Sequence, residues 1–139
     1  MGTIFSQIVD GDIPARIVYE DETTVAFLDA NPLAPGHTLV IPKEEYERLN
    51  DVPDDVASDL YATIHELVPI VEDSVDADAS TVAFNNGEAA GQEVPHVHCH
   101  IVPRFEGDGG GPIHAVAGDR PDLADKELDD IAETIESRV

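Results

Sequence analysis

Across residues 53–77 the apolar side chains Val56, Leu60, Ile64, Leu67 and Val71 recur every three or four positions, the spacing of one face of an amphipathic helix. Pro69 falls inside that run, so the helix is expected to kink there or end early, because proline lacks the N–H that the ladder needs. Upstream, the pattern shifts to the short β-branched and aromatic runs of strands. Residues 16–20 and 23–29 flank the polar link Asp21-Glu22 and read as a hairpin. Pro32, Pro35 and Gly36 make residues 31–36 a rigid loop that leads into a strand over 37–41, stopped by Pro42. Residues 81–84 read as a strand, 85–93 as a glycine-punctuated loop, and 94–102 as a further strand. Residues 106–112 are irregular, and a short helix over 123–137 closes the chain. Antiparallel strands with two separate helices give an α+β fold, with residues 1–139 as one domain.

Composition narrows the class. A chain of 139 residues with 42% hydrophobic residues can bury about two thirds of its unfolded surface around a core. No apolar stretch approaches the roughly 18 residues of a membrane span, and the N-terminus lacks the basic-then-apolar pattern of a signal peptide, so a cytoplasmic protein is expected. The lone cysteine, Cys99, excludes an internal disulfide and a Cys-rich zinc site. Thirty acidic residues oppose seven basic ones, a formal net charge of −23, and the acids are spread along the chain. Such a field repels nucleic-acid polymers and anionic membranes. With Lys43 and Lys126 the only lysines, the charge suggests a halophilic cytoplasm, where molar salt shortens the screening length to about 3 Å.

The chemistry concentrates in His96-Val97-His98-Cys99-His100, which holds three of the six histidines. The flanking residues favour an extended chain, and Pro95 discourages a helix. On a continuous strand His96, His98 and His100 would share one face, while Val97, Cys99 and Ile101 would point into a core. Imidazoles are costly to bury and repel one another when charged, so chance packing does not favour the cluster. All three could hardly share one metal ion: at about 3.3 Å per residue, His96 and His100 stand about 13 Å apart, against metal–nitrogen bonds of about 2.1 Å. His98 and His100 with His37 keep a metal site open. An extended anion is the other candidate, since successive imidazoles offer a nucleophile, donors and positive charge to a phosphate chain.

These residues resemble the histidine triad family of nucleotide hydrolases and transferases, whose signature is His-x-His-x-His-x-x with apolar residues at x. The likeness covers roughly residues 3–105. It takes in Ile4-Phe5, Ile13-Pro14-Ala15, Ala26-Phe27-Leu28-Asp29, Pro32, Ala34-Pro35-Gly36-His37, Val40-Ile41-Pro42-Lys43, Asn85, and Gly91-Gln92.

The resemblance implies a histidine triad fold, an antiparallel sheet of about five strands with one long and one short C-terminal helix. It implies that His98 attacks an α-phosphorus to form a nucleotidyl-histidine intermediate, which water resolves. His100 and His37 would contact phosphate oxygens, and His96 would orient the nucleophile's surroundings. Gln92 with the amides of Glu93 and Val94 would hold the phosphate or leaving group, and Asn85 would fix that loop or the phosphate. Asp29 would accept from ribose hydroxyls, and Ile4, Phe5 and Phe27 would form the base pocket. Plainer readings stand beside these: Phe5 and Phe27 as core, Asp29 and Asn85 as turn formers.

The chain departs from the family pattern in places. Thr3 and Ser6 stand where some members carry a zinc-binding Cys-x-x-Cys, and Glu44-Glu45 where they carry a histidine, so no structural zinc is expected. Glu93 replaces a small hydroxyl residue and Pro95 an aromatic or basic one. The Val102-Pro103-Arg104-Phe105 ending resembles prokaryotic members. The expected substrate is a dinucleoside polyphosphate, a nucleoside phosphoramidate or an adenylylated amine. No cofactor is required, although magnesium could accompany a polyphosphate. The family relation implies a homodimer joined through its sheets and long helix. A nucleotide-binding module without turnover and a histidine-ligated metal protein are the alternatives.

Overall fold

The computed structural model describes residues 2–139. Five strands form one antiparallel sheet: β1 (Ile17–Glu20), β2 (Thr24–Leu28), β3 (Thr38–Pro42), β4 (Ala79–Phe84) and β5 (Cys99–Arg104), in the spatial order β1-β2-β3-β5-β4. Helices α1 (Ile4–Val9), α2 (Asp54–Ser74) and α3 (Asp125–Glu136) complete the α+β architecture.

The period of two along the strands sorts side chains between two cores. Ala26, Val40, Cys99 and Ile101 face one way and pack with Leu60, Ile64, Leu67 and Val71, the apolar stripe of α2. Val25, Phe27, Leu39 and Ile41 face the other way and pack with Phe5 and Ile8 of α1. Each central strand is therefore buried on both sides, which is why β2 and β3 read as nearly unbroken apolar runs.

Asp21 shapes the β1–β2 hairpin, its Oδ1 accepting from the amides of Thr23 and Thr24 at 2.9 Å each. These bonds hold its carboxyl well below the usual range although desolvation opposes them.

Three expectations need correction. Of the two outcomes expected at Pro69, a kink or an early end, the early end does not occur, and the helix runs on to Ser74. Pro69 and His65 are both exposed, so the carbonyl that loses its donor faces water, while Leu67 and Val71 anchor the helix on either side. The strand expected over 94–102 begins only at Cys99 and extends to Arg104. Residues 94–98 bond elsewhere: His96 N–H donates to the Val94 carbonyl at 2.8 Å and Val97 N–H to the Tyr46 carbonyl at 2.7 Å. Finally, α1 was not expected, because six residues are too few to display a helical period. Its signal is Thr3, whose side chain caps the helix by accepting from Ser6 N–H.

Among the described residues no helix is long and apolar enough to cross a membrane.

Candidate active site

The cleft lies on the α1 side of the sheet and has a volume of about 770 Å³. Ile4, Phe5 and Phe27 line its apolar end, and Asp29, His37, Asn85, Glu93, Val94, His98 and His100 line the polar remainder. Phe5 and Phe27 meet edge to face with centroids 5.5 Å apart and are both buried, so they serve the core and the cleft wall together. Asp29 also has two roles: its Oδ1 accepts from Asn31 N–H at 2.9 Å, fixing the turn, while its Oδ2 lies 3.6 Å from His37 Nε2.

Hydrogen bonds assign a tautomer to each ring. His98 Nδ1 stands 2.7 Å from the His96 carbonyl oxygen. A carbonyl only accepts, so Nδ1 carries the proton and Nε2 keeps its lone pair. Burial holds the His98 pKa below the ordinary imidazole value against the His96 carbonyl, Asp29 and Glu93, which favour the charged form. The ring is neutral near pH 7, the state a nucleophile needs.

His37 is buried, with its Nδ1 accepting from Leu33 N–H at 3.0 Å. Burial lowers its pKa as well. The proton of neutral His37 is thus on Nε2, and it is donated to His100 Nδ1 at 3.0 Å. His100 must then carry its own proton on Nε2. Burial, together with the neighbouring His98 and His37 rings, pushes the His100 pKa down to about 4. With centroids 4.9 Å apart, His98 and His100 present complementary atoms to the cleft, one a lone pair and the other an N–H.

Two expected site residues sit differently. His96 is fully buried and does not line the cleft. It lies with His98 on the α1 side of the sheet, both rings meeting Phe5 at centroid distances of 6.0 and 4.9 Å, and its backbone carbonyl is the one bonded to His98 Nδ1. Its Nε2 donates to the Pro42 carbonyl at 2.8 Å, so Nδ1 is an acceptor, 3.3 Å from Thr3 Oγ1 and 3.5 Å from Ser6 Oγ.

Gln92 does not line the cleft either. Its Oε1 accepts from Gly87 N–H at 2.7 Å, and its Nε2 donates to the carbonyls of Glu47 and Val94 at 2.6 and 3.0 Å. It fastens the 87–94 loop, and its polar atoms are already committed.

Asp29, His37 and His100 offer ligand atoms within 4.8 Å of one another, a spacing that could suit a cation. The hydrogen bonds do not fit one. His37 Nδ1 is taken by Leu33 N–H, its Nε2 bears the proton, and that proton occupies His100 Nδ1. This triplet also replaces the grouping of His98, His100 and His37 that the sequence left open for a metal.

Sequence reasoning missed the Leu33 amide, since a backbone donor leaves no side-chain signal; the Leu33 side chain is itself exposed. It also missed Glu45 as a partner of the site. The only pointer was the Thr3-x-x-Ser6 spacing, which marks a helix start.

An α+β fold that presents His98, just before β5, and His100, on β5, to one cleft, with His37 bonded to the second ring, defines a histidine triad protein. The HIT domain family model matches residues 10–107, and the chain belongs to that family. It is 49% identical over 106 residues to an uncharacterized HIT-like protein of Methanocaldococcus jannaschii, covering 76% of this chain and 81% of that one. It is 35% identical over 105 residues to an adenosine 5'-monophosphoramidase of Candida albicans, covering 73% and 69%. A bis(5'-nucleosyl)-tetraphosphatase (asymmetrical) of Schizosaccharomyces pombe matches at 35% over 96 residues, 69% of this chain and 53% of that one. The crystal structure of a HIT family member from Bacillus subtilis superposes with a TM-score of 0.88 at 36% identity, covering 100% of this chain and 98% of that one.

Proposed function

We propose that this protein is a nucleotide hydrolase or transferase that breaks a bond at a nucleoside α-phosphate through a nucleotidyl-histidine on His98. One observation carries the reading: the His96 carbonyl fixes the proton of His98 on Nδ1, which leaves the Nε2 lone pair free in a neutral ring that lines the cleft. In the first step that lone pair forms the N–P bond, and the leaving oxygen or nitrogen departs with its bonding electrons and takes a proton from water. In the second step water adds to phosphorus, the N–P bond breaks, and the nucleoside monophosphate leaves with His98 neutral again. His100 Nε2–H donates to the phosphoryl oxygens, where charge builds. His37 supports it from behind, Asp29 takes the ribose, and Ile4, Phe5 and Phe27 hold the base.

The substrates that fit are nucleoside phosphoramidates and dinucleoside polyphosphates, the classes named by two of the relatives. No cofactor is required for the nucleophile. Residues Tyr61, Ile70 and Val82 expose apolar surface on α2 and on the β4 sheet edge, which supports a homodimer joined there. The acidic surface supports a halophilic cytoplasm as the working environment.

The test is to quench the protein with an α-labelled nucleoside phosphoramidate and look for label on His98, with His98→Ala as control. Label on His98, and a rate reduced on the order of 10⁴-fold or more in the variant, is the expected result. Tight nucleotide binding without label or turnover would make the cleft a binding module, and activity abolished by a chelator would bring the metal reading back.

A further inference from the structure

We infer that Glu45, outside the cleft, is a positioning residue for His98 that acts through the N-terminal helix; the inference rests on the reading of His98 as nucleophile. Glu45 follows β3 by three residues, and its Oε1 accepts from Thr3 N–H at 2.9 Å and Ser6 Oγ at 2.6 Å. These bonds hold its carboxyl below the usual range. Thr3 is the cap of α1, with Oγ1 accepting from Ser6 N–H at 3.2 Å.

The hydroxyl protons can be assigned in turn. Ser6 Oγ–H is committed to Glu45, which leaves Thr3 Oγ1–H facing two acceptors, Ser6 Oγ at 3.5 Å and His96 Nδ1 at 3.3 Å, and the nearer, His96 Nδ1, takes it. That acceptor role agrees with the proton of His96 on Nε2, which the Pro42 carbonyl requires. The backbone carbonyl of the same His96 fixes the proton of His98. Helix α1 also carries Phe5, whose ring stands edge-on to His98 with centroids 4.9 Å apart at 84°. Glu45 therefore ties down the segment that reaches His98 twice, once through His96 and once through Phe5.

Gly2 shows how closely the segment fits. It adopts φ +89°, and a Cβ there would lie 2.8 Å from Glu45 Oε1 and 3.0 Å from Ser6 Cβ. The run from Gly2 to Ser6 is thus closed onto one carboxylate.

The experiment compares Glu45→Ala with Glu45→Gln, whose amide oxygen can accept the same two bonds. The alanine variant should slow label transfer to His98 in a single turnover by about 3- to 10-fold, the loss expected for one or two exposed bonds, and the glutamine variant should recover most of it. In the free protein, ¹⁵N–¹H spectra should show His98 as the Nδ1–H tautomer in the wild type and in Glu45→Gln, and a mixture in Glu45→Ala. Ser6→Ala, which removes one of the two anchors, should shift the same signals part of the way. Unchanged His98 signals and an unchanged transfer rate in Glu45→Ala, or equal losses in the alanine and glutamine variants, would overturn the inference. Full activity in His98→Ala would instead overturn the nucleophile, so the two failures are distinct.

Discussion

His37 Nε2 and His100 Nδ1 stand 3.0 Å apart, and the Leu33 amide on the far side of His37 decides which of them owns the shared proton. Because Leu33 N–H occupies His37 Nδ1, the neutral ring has to donate from Nε2, and His100 must receive. The donor that His100 then offers the cleft originates in a loop amide.

Removing that amide should uncouple the pair. Leu33→Pro deletes the N–H, whereas Leu33→Ala keeps it and trims a side chain that is 78% exposed. The expected outcome is a loss of about 10-fold in kcat for the proline variant, the cost of one hydrogen bond, and near-normal kcat for the alanine variant. Steady-state kinetics with thermal melts of both proteins checks this; equal rates in the two variants would show that the amide does not matter.

All four site histidines are held below the ordinary imidazole pKa, with burial the leading cause in each. In the folded protein these rings stay neutral at a pH where the unfolded chain, with a reference value of about 6.5, already binds protons. Their contribution to stability is thus present above about pH 6.5 and is lost as the pH falls through their lowered values, which for His100 is about 4. Catalysis needs neutral His98, so the acid limb of single-turnover transfer should have its midpoint below 6.5. A midpoint at or above that value would contradict the burial argument.

Gln92 holds the 87–94 loop by three bonds to backbone atoms. Gln92→Ala should therefore loosen the loop before any substrate arrives. Amide hydrogen exchange at Gly87 should accelerate by 10-fold or so in the free protein, in keeping with the loss of a buried acceptor. If exchange stayed unchanged and only KM rose, direct phosphate contact would be the better account.

How legible this site was depended on the range of the signal. The α2 stripe Val56 to Val71 and the short apolar strand runs are local patterns, and they placed the sheet, its long helix and the partnership of His98 with His100. That α2 would continue past Pro69 was not legible, because the cost of the missing bond depends on whether the freed carbonyl reaches water, which the exposed position of His65 reveals. The late start of β5 was not legible because a strand reading assumes an unbroken pleat, and the bonds of residues 96 and 97 to the Val94 and Tyr46 carbonyls are invisible to a period of two. Gln92 and Glu45 bond to atoms 45 and 42 residues away, a separation no local window can span.

The surface charge makes the last prediction. Thirty acidic residues face seven basic ones, and Lys43, Arg104 and Lys126 each pair with a single carboxylate, on Glu20, Asp108 and Asp130. Even if every cation paired in this way, most carboxylates would be left to repel one another and any anionic substrate. Raising salt from 0.1 M to 1 M shortens the screening length from about 10 Å to about 3 Å, which weakens both repulsions while leaving the buried histidine network little affected. Melting temperature and kcat/KM for an α-phosphate substrate should therefore rise together over that range, with kcat changing less than KM, because the surface field acts on approach and not on the N–P bond. A salt series of melts and initial rates separates the possibilities: activity that falls steadily toward molar salt would mean that attraction by the site's own dipoles outweighs the field of the surface acids.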